Sequence, residues 1–253
     1  MKEQRIALVT GGNRGLGRAS VLKLAENGID VIFTYRSNRD EAFKVAETVA
    51  AQGRIGVPLE LDVEGFGDFP VFAEMVRDAL SSRWNRDTFD FLINNAGSAE
   101  NTPVGATTPD AVDFLVDVHF KGVVLLTQAL LPQLADGGRI VNLSTSLTRH
   151  VSPGSSVYAS VKGAVEVYSK YLASELGQRG IRVNSVAPGP IGTDFSGGAL
   201  RDDAALREVL AGQAALGGVG EPDDVGGVIA ALCGPDTGWM TAQRVEVSGG
   251  MNL

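Results

Sequence analysis

Tyr158 and Lys162 stand four residues apart in the stretch Tyr-Ala-Ser-Val-Lys. On a helix that spacing puts both side chains on one side, and Val161, Ala164, Val165, Tyr168 and Leu172 recur with the period such a helix needs. A free phenol titrates near pH ~10 and is a poor base at neutrality. An ammonium beside it favours the phenolate, so the pair can give a proton to a developing alkoxide or take one from an alcohol. The same spacing also describes an ordinary helix face with a lysine stem lying along it. A second stretch, TGGNRGLG from Thr10 to Gly17, holds four glycines in eight residues directly after the apolar run of residues 6–9. Backbone amides in such a turn, followed by a helix N-terminus, can approach a pyrophosphate without Cβ interference. Gly11, Gly15 and Gly17 follow G-x-x-x-G-x-G, and no Gly-Lys-Ser or Gly-Lys-Thr follows to make a P-loop. A tight strand-to-helix turn with no ligand has the same glycine requirement.

These residues need a scaffold, and the pattern of the chain supplies one. β-rich runs recur at 5–9, 30–35, 55–61, 89–93, 139–143, 182–187 and 244–247, with helical stretches between most of them. After the glycines, Val21, Leu24, Ala25 and Gly28 take the spacing of a buried helix face that Gly28 ends. Repeated strand–helix–strand units imply parallel strands with helices on both faces, hence an α/β, doubly wound Rossmann fold with a parallel sheet of about seven strands. Ligands bind such sheets beyond the carboxyl ends of the strands, which is where TGGNRGLG falls. With 253 residues and no composition break, the chain reads as a single domain, 1–253, in which the glycine-rich segment 188–221 is a substrate flap.

Composition narrows the function classes. Hydrophobic residues are 44% and charged residues 21%, as in a globular protein. A net charge of -8 repels a phosphate backbone, which argues against nucleic acid or an anionic membrane as partner. One cysteine, Cys233, and two histidines, His119 and His150, cannot assemble a cysteine or histidine metal cluster, and the lone thiol fits a reducing cytoplasm. No signal peptide or membrane-spanning segment is expected.

From residue 5 to the C-terminus the chain resembles the short-chain dehydrogenase/reductase family. Its landmarks occur in the family's order: TGGNRGLG, Asp62-Val63 after the third strand, NNAG at 94–97, Tyr158-Ala-Ser-Val-Lys162, and APGPIGTDF at 187–195. The resemblance implies a nicotinamide cofactor and a homotetramer or dimer. It places Gly11, Asn13, Arg14, Gly15, Leu16 and Gly17 around the pyrophosphate, Asp62 and Val63 at the adenine, and Asn94, Ala96 and Gly97 along the cofactor's middle. Pro188, Gly189, Ile191 and Thr193 follow near the carboxamide. An NAD site usually has an acid at the end of the second strand. Here Tyr35 stands about there, followed by Arg36 and Ser37, and Arg14 adds a second cation, so NADP(H) is the expected cofactor, NADPH preferred.

The resemblance also implies roles at the reacting centre. Tyr158 is the proton donor and Lys162 its cationic neighbour and ribose ligand. The family's serine, thirteen residues before the tyrosine, falls on Thr145, with Ser144 and Ser146 flanking it. The family's asparagine, which holds a proton-relay water, falls on His119, whose imidazole can donate and accept but titrates nearer neutrality. The expected activity is NADPH-dependent reduction of a small-molecule carbonyl to a secondary alcohol, the likeness being to members acting on 3-oxoacyl thioesters and assorted ketones. An NADP-dependent alcohol dehydrogenase running oxidatively uses the same residues. A non-catalytic NADP-binding regulator is the reading in which Thr145 and His119 mark a decayed site.

Overall fold

The computed structural model describes residues 4–253. Its strands are β1 (Ile6–Val9), β2 (Asp30–Tyr35), β3 (Gly56–Glu60), β4 (Phe89–Asn94), β5 (Leu134–Leu143), β6 (Arg182–Pro188) and β7 (Arg244–Val247). They form one parallel sheet in the order β3-β2-β1-β4-β5-β6-β7. The order reverses between β1 and β4, so the ends of these two strands diverge into a crevice at the sheet's carboxyl edge.

Alternation along the strands sorts side chains between two apolar layers. In β1, Ala7 and Val9 face the layer under α1 (Gly15–Glu26), α2 (Arg39–Ala51) and α9 (Pro222–Leu232), where Val21, Val45 and Ile229 are buried. Ile6 and Leu8 face the opposite layer under α3 (Phe69–Trp84), α5 (Gly122–Leu130) and α6 (Ser156–Leu176), where Phe72, Leu126 and Leu172 are buried. The face expected on α1 is the one observed, and Gly28, at φ +78°, ends that helix.

α4 (Pro109–Val116) continues into α5 through a π-turn at Asp117–Lys121, whose hydrogen bond runs from the Gly122 N–H to the Asp117 carbonyl. Within the combined stretch Pro109–Gln133, a window of 18 residues reaches a mean hydropathy of 1.6, so by length and composition the stretch could cross a membrane. That corrects the expectation that no segment could. Asp110, Asp113, Asp117 and Lys121 interrupt the apolar run in the sequence, and the stretch packs against α3 and α6 with Leu115, Val118, Leu126 and Leu130 buried. It is a core helix of the fold. Beyond β6 come α7 (Ala199–Asp202) and α8 (Ala204–Ala211), and this stretch is pinned at its ends by the bridges Ile191↔Gly220 and Ala214↔Met251.

Candidate active site

The glycine turn lies at the end of β1. The Gly11 N–H donates to Thr34 Oγ1 at 3.0 Å and the Gly12 N–H to the Thr34 carbonyl at 2.8 Å, drawing the loop over β2. Gly17, in the first turn of α1, allows the tightest approach: a Cβ there would lie 2.0 Å from the Gly11 carbonyl oxygen. Asn95 locks the other side, its Nδ2 donating to the Thr10 carbonyl at 2.8 Å, while Thr10 Oγ1 accepts the N–H groups of Asn95 and Ala96, each at 2.9 Å. Thr193 lies against Gly15, and Asn13, Arg14, Gly15 and Thr193 line one cleft of about 620 Å³. Its size and its glycine-turn amides fit a dinucleotide, with Arg14 and Arg18 the cations on its wall beside the carboxylates of Glu41 and Asp223. Leu16 packs into the layer under α1, and the Ser37 carbonyl accepts from Asn13 Nδ2 at 3.1 Å.

Several residues expected at the cofactor also make contacts within the fold. Tyr35 is buried with Phe33, two residues earlier, in the layer under α1, because alternation sends its ring into the core. Asn94 is buried and donates to Thr127 Oγ1 at 3.0 Å and Asn142 Oδ1 at 2.8 Å, so its side chain ties β4 to β5 and α5. Its neighbour Asn95 does the work at the glycine turn. Asp62 Oδ1 accepts the Glu64 N–H at 3.0 Å, and Val63 packs near the layer under α3. Arg36 is well exposed and pairs with Glu64 at 3.2 Å, a partner the sequence reading did not anticipate. Ile191 is buried in the layer under α1, and the Gly189 N–H donates to the Val247 carbonyl at 2.9 Å.

Tyr158, Lys162, Thr145 and His119 come together beside this cleft. Tyr158 and Lys162 lie in α6, and Thr145 follows the end of β5. The Thr145 hydroxyl faces the Tyr158 phenol and favours its ionised form. Thr145 Oγ1 also accepts the Leu147 N–H at 3.3 Å, which leaves its own proton free to donate. Ser144 Oγ instead donates to Glu166 at 2.5 Å, so of the three adjacent hydroxyls it is Thr145 that meets the tyrosine. Lys162 Nζ donates to the Leu143 carbonyl at 2.7 Å and lies 5.9 Å from the Tyr158 ring centre. His119, within the π-turn, stands edge-on to Tyr158 with ring centres 5.2 Å apart. Its Nε2 lies 2.6 Å from the Ser98 carbonyl oxygen, so Nε2 carries the proton and the buried Nδ1, which has no hydrogen-bond partner among the described residues, is a free acceptor. Gly97 makes room for it: a Cβ there would lie 2.7 Å from His119 Cε1.

Burial sets the electrostatics. It raises the Tyr158 pKa, against the opposing effect of the Thr145 hydroxyl, so the phenol is protonated. It pushes Lys162 down to about 7, where an amine exchanges protons at neutral pH. His119 is driven well below the ordinary imidazole value, by burial first and the Lys162 charge second, so it works as a neutral donor and acceptor. Desolvation sets the direction of the phenol's shift. Cys233 is buried and its thiol is pushed up to about 12, and no cluster of metal-ligating side chains occurs among the described residues.

The family described as enoyl-(acyl carrier protein) reductase matches residues 11–252. The chain belongs to the short-chain dehydrogenase/reductase family. It is 34% identical over 249 residues to the 3-oxoacyl-[acyl-carrier-protein] reductase FabG of Staphylococcus epidermidis, with 98% of each chain covered. Among solved structures, it resembles the promiscuous reductase LugOII, which catalyses keto-reduction at C1 in lugdunomycin biosynthesis, at a TM-score of 0.94 and 33% identity over 100% of both chains. It also resembles the angucycline C-6 ketoreductase LanV, solved with bound NADP, at a TM-score of 0.92 and 34% identity, covering 98% of this chain and 95% of that one. Like these relatives, it is an oxidoreductase of the family with a Rossmann fold.

Proposed function

We propose that this chain is an NADPH-dependent ketoreductase that converts a ketone to a secondary alcohol. The observation that carries this reading is the protonated Tyr158 phenol facing the Thr145 hydroxyl, with Lys162 and His119 packed beside it and His119 against Gly97. A nicotinamide cofactor, when bound, supplies hydride to the carbonyl carbon. Thr145 donates its O–H to the substrate oxygen, and Tyr158 gives that oxygen its proton. The phenolate that remains is stabilised by the Lys162 ammonium, and Lys162, with a pKa near 7, returns the proton. His119 Nδ1 accepts from a water or ammonium in this relay, in the role the sequence resemblance gives to an asparagine.

The cationic residues Arg14 and Arg36 support a preference for NADPH over NADH, their partner being the ribose 2′-phosphate. The segment 188–221 covers the substrate, an assignment supported by Phe195, whose ring centre is 6.0 Å from that of Tyr158. The family description names an enoyl reductase, but a pair of hydroxyls converging on one point suits a carbonyl oxygen better than a carbon–carbon double bond. We also propose that the enzyme works in the cytoplasm as a homodimer or tetramer, joined through the exposed Leu125 of α5 and Val167 and Tyr171 of α6. Light scattering checks this: a monomer at all concentrations refutes it.

The deciding experiment measures oxidation of NADPH and NADH against ketones, 3-oxoacyl thioesters and enoyl thioesters, for wild type and Tyr158→Phe. Ketone turnover with NADPH that is lost in the variant, with NADPH binding retained, is the expected result. Turnover of alcohols with NADP alone places the enzyme in the oxidative direction. Tight NADPH binding with no turnover either way overturns the enzyme reading in favour of a regulator.

A further inference from the structure

Ser144 is the last residue whose N–H joins the β5–β6 ladder, donating to the Val186 carbonyl at 2.7 Å. Thr145, next in the chain, has extended backbone at φ -157° and ψ 152° and no neighbouring strand to hold it. Its carbonyl accepts from Thr148 Oγ1 at 3.0 Å and the Thr148 N–H at 3.4 Å within its own turn, and a side-chain clamp from two distant elements holds both it and Thr148. Glu166, two turns beyond Tyr158 on α6, accepts at one oxygen from Ser144 Oγ (2.5 Å), Thr148 Oγ1 (2.8 Å) and Arg244 Nε (2.8 Å). Arg244, the first residue of β7, spreads its guanidinium over four partners, its Nε reaching Thr148 Oγ1 at 3.2 Å as well as Glu166. Besides Glu166, Nη1 donates to Glu246 Oε2 at 2.8 Å and Nη2 to the Thr145 carbonyl at 3.2 Å. Glu246 is fixed in turn by Arg149 through Nε (2.8 Å) and Nη2 (2.7 Å) and by Ser248 Oγ (2.6 Å). Arg149 also donates to the Met251 and Asn252 carbonyls, which fastens the C-terminal tail into the same assembly.

We propose that Arg244, oriented by Glu166 and Glu246, is a positioning residue that holds the Thr145 peptide so that the Thr145 hydroxyl stays against Tyr158. The inference rests on the role given to Thr145 above. The Thr145 carbonyl and side chain share one Cα, so letting that carbonyl swing also swings Oγ1 away from the phenol. The fork of the guanidinium is what allows four partners at once, and a lysine ammonium, a single point on a flexible stem, cannot span them. The carboxylates on both sides keep the guanidinium in place without touching any reacting atom.

The test is a double-substitution cycle on the full-length enzyme with a ketone that it turns over. Wild type, Thr145→Ala, Arg244→Lys and the double variant are compared for kcat, for KM of the ketone, and for NADPH Kd by fluorescence. Arg244→Lys is expected to lower kcat by about 5- to 20-fold with NADPH Kd within about twofold, and to have less than about a twofold effect once Thr145 is alanine, as coupled residues behave. Should Arg244→Lys fold poorly, Glu166→Gln, which keeps the acceptor oxygen, is expected to give the same pattern. Full multiplication of the two losses in the double variant overturns the positioning role, as does an unchanged kcat in folded Arg244→Lys. If Thr145→Ala alone turns over like wild type, the catalytic assignment of Thr145 falls, and this inference with it. A general weakening of the fold would lower melting temperature and disturb cofactor binding and kcat together in both backgrounds, which also overturns it.

Discussion

Replacing Glu64 with glutamine should sharpen discrimination between the two nicotinamide cofactors. In the structure Glu64 holds Arg36 at 3.2 Å, with the arginine side chain 59% and the glutamate 33% exposed. Two unit charges at that separation attract by about 1.3 kcal/mol in bulk water, and exposed pairs net only about 0.2–1 kcal/mol once side-chain ordering is included. Burial and neighbouring Asp62 hold the Glu64 pKa above its ordinary value despite Arg36, as expected of a weak pair. A ribose 2′-phosphate must draw Arg36 away from this carboxylate, and the carboxylate also repels the phosphate. Removing it therefore releases roughly 0.5–1 kcal/mol, or about two- to fivefold tighter NADPH binding. NADH, which lacks the phosphate, should bind within experimental error of wild type. Fluorescence titration of both cofactors with Glu64→Gln at low salt reads the ratio directly, and the gain should shrink toward molar salt, where the screening length falls to about 3 Å. An unchanged or reduced NADPH-to-NADH ratio would refute the assignment of Arg36 to the phosphate.

Three further outcomes follow from the geometry. Gly17→Ala, whose new Cβ would sit 2.0 Å from the Gly11 carbonyl oxygen, should destabilise by about 1–3 kcal/mol and abolish measurable NADPH binding; normal Kd in a folded variant contradicts the tight turn. Because burial lowers the Lys162 pKa from 10.5 to about 7, the unfolded chain binds a proton between those values that the folded chain has released. Stability therefore rises with pH across that window. Urea titrations should show this slope flattened in Lys162→Met, and identical pH dependence in both proteins contradicts it. His119→Asn keeps a donor and an acceptor and should retain most turnover, whereas His119→Ala should lose it and alter the pH–rate profile; an unaltered profile in the alanine variant removes His119 from the relay.

The layered sheet was legible because burial leaves a periodic trace. The alternation in β1 and the Val21, Leu24, Ala25 face of α1 are patterns a single strand or helix carries in its own residues. Position along the chain was equally legible, so the order of the glycine turn, Thr145 and Tyr158 could be read. What could not be read is which way a side chain turns at the end of an element. Tyr35 and Asn94 end their strands, as a cofactor ligand would, but alternation sends both inward. The doubled asparagine held the signal for Asn95, since two adjacent strand-end amides must face opposite ways. Partners far apart in sequence leave no local trace at all: Glu64 lies 28 residues from Arg36, and Thr145 lies 99 from Arg244. Nothing in either neighbourhood announces them.

The π-turn at Asp117–Lys121 has a consequence for how the site could have arisen and how it can be lost. A π-turn is an α-helix with one residue too many, and the surplus re-phases everything downstream by about 100°. His119 sits inside that surplus, so its edge-on stance to Tyr158 depends on helix length as much as on residue type. Deleting Asp117 or Lys121 would restore a regular helix, keep every apolar side chain in the chain, and swing the imidazole or the α5 core face out of phase. The reacting centre is therefore protected by counting: substitutions at 119 tune it, while a single-codon deletion nearby dismantles it without touching a functional residue.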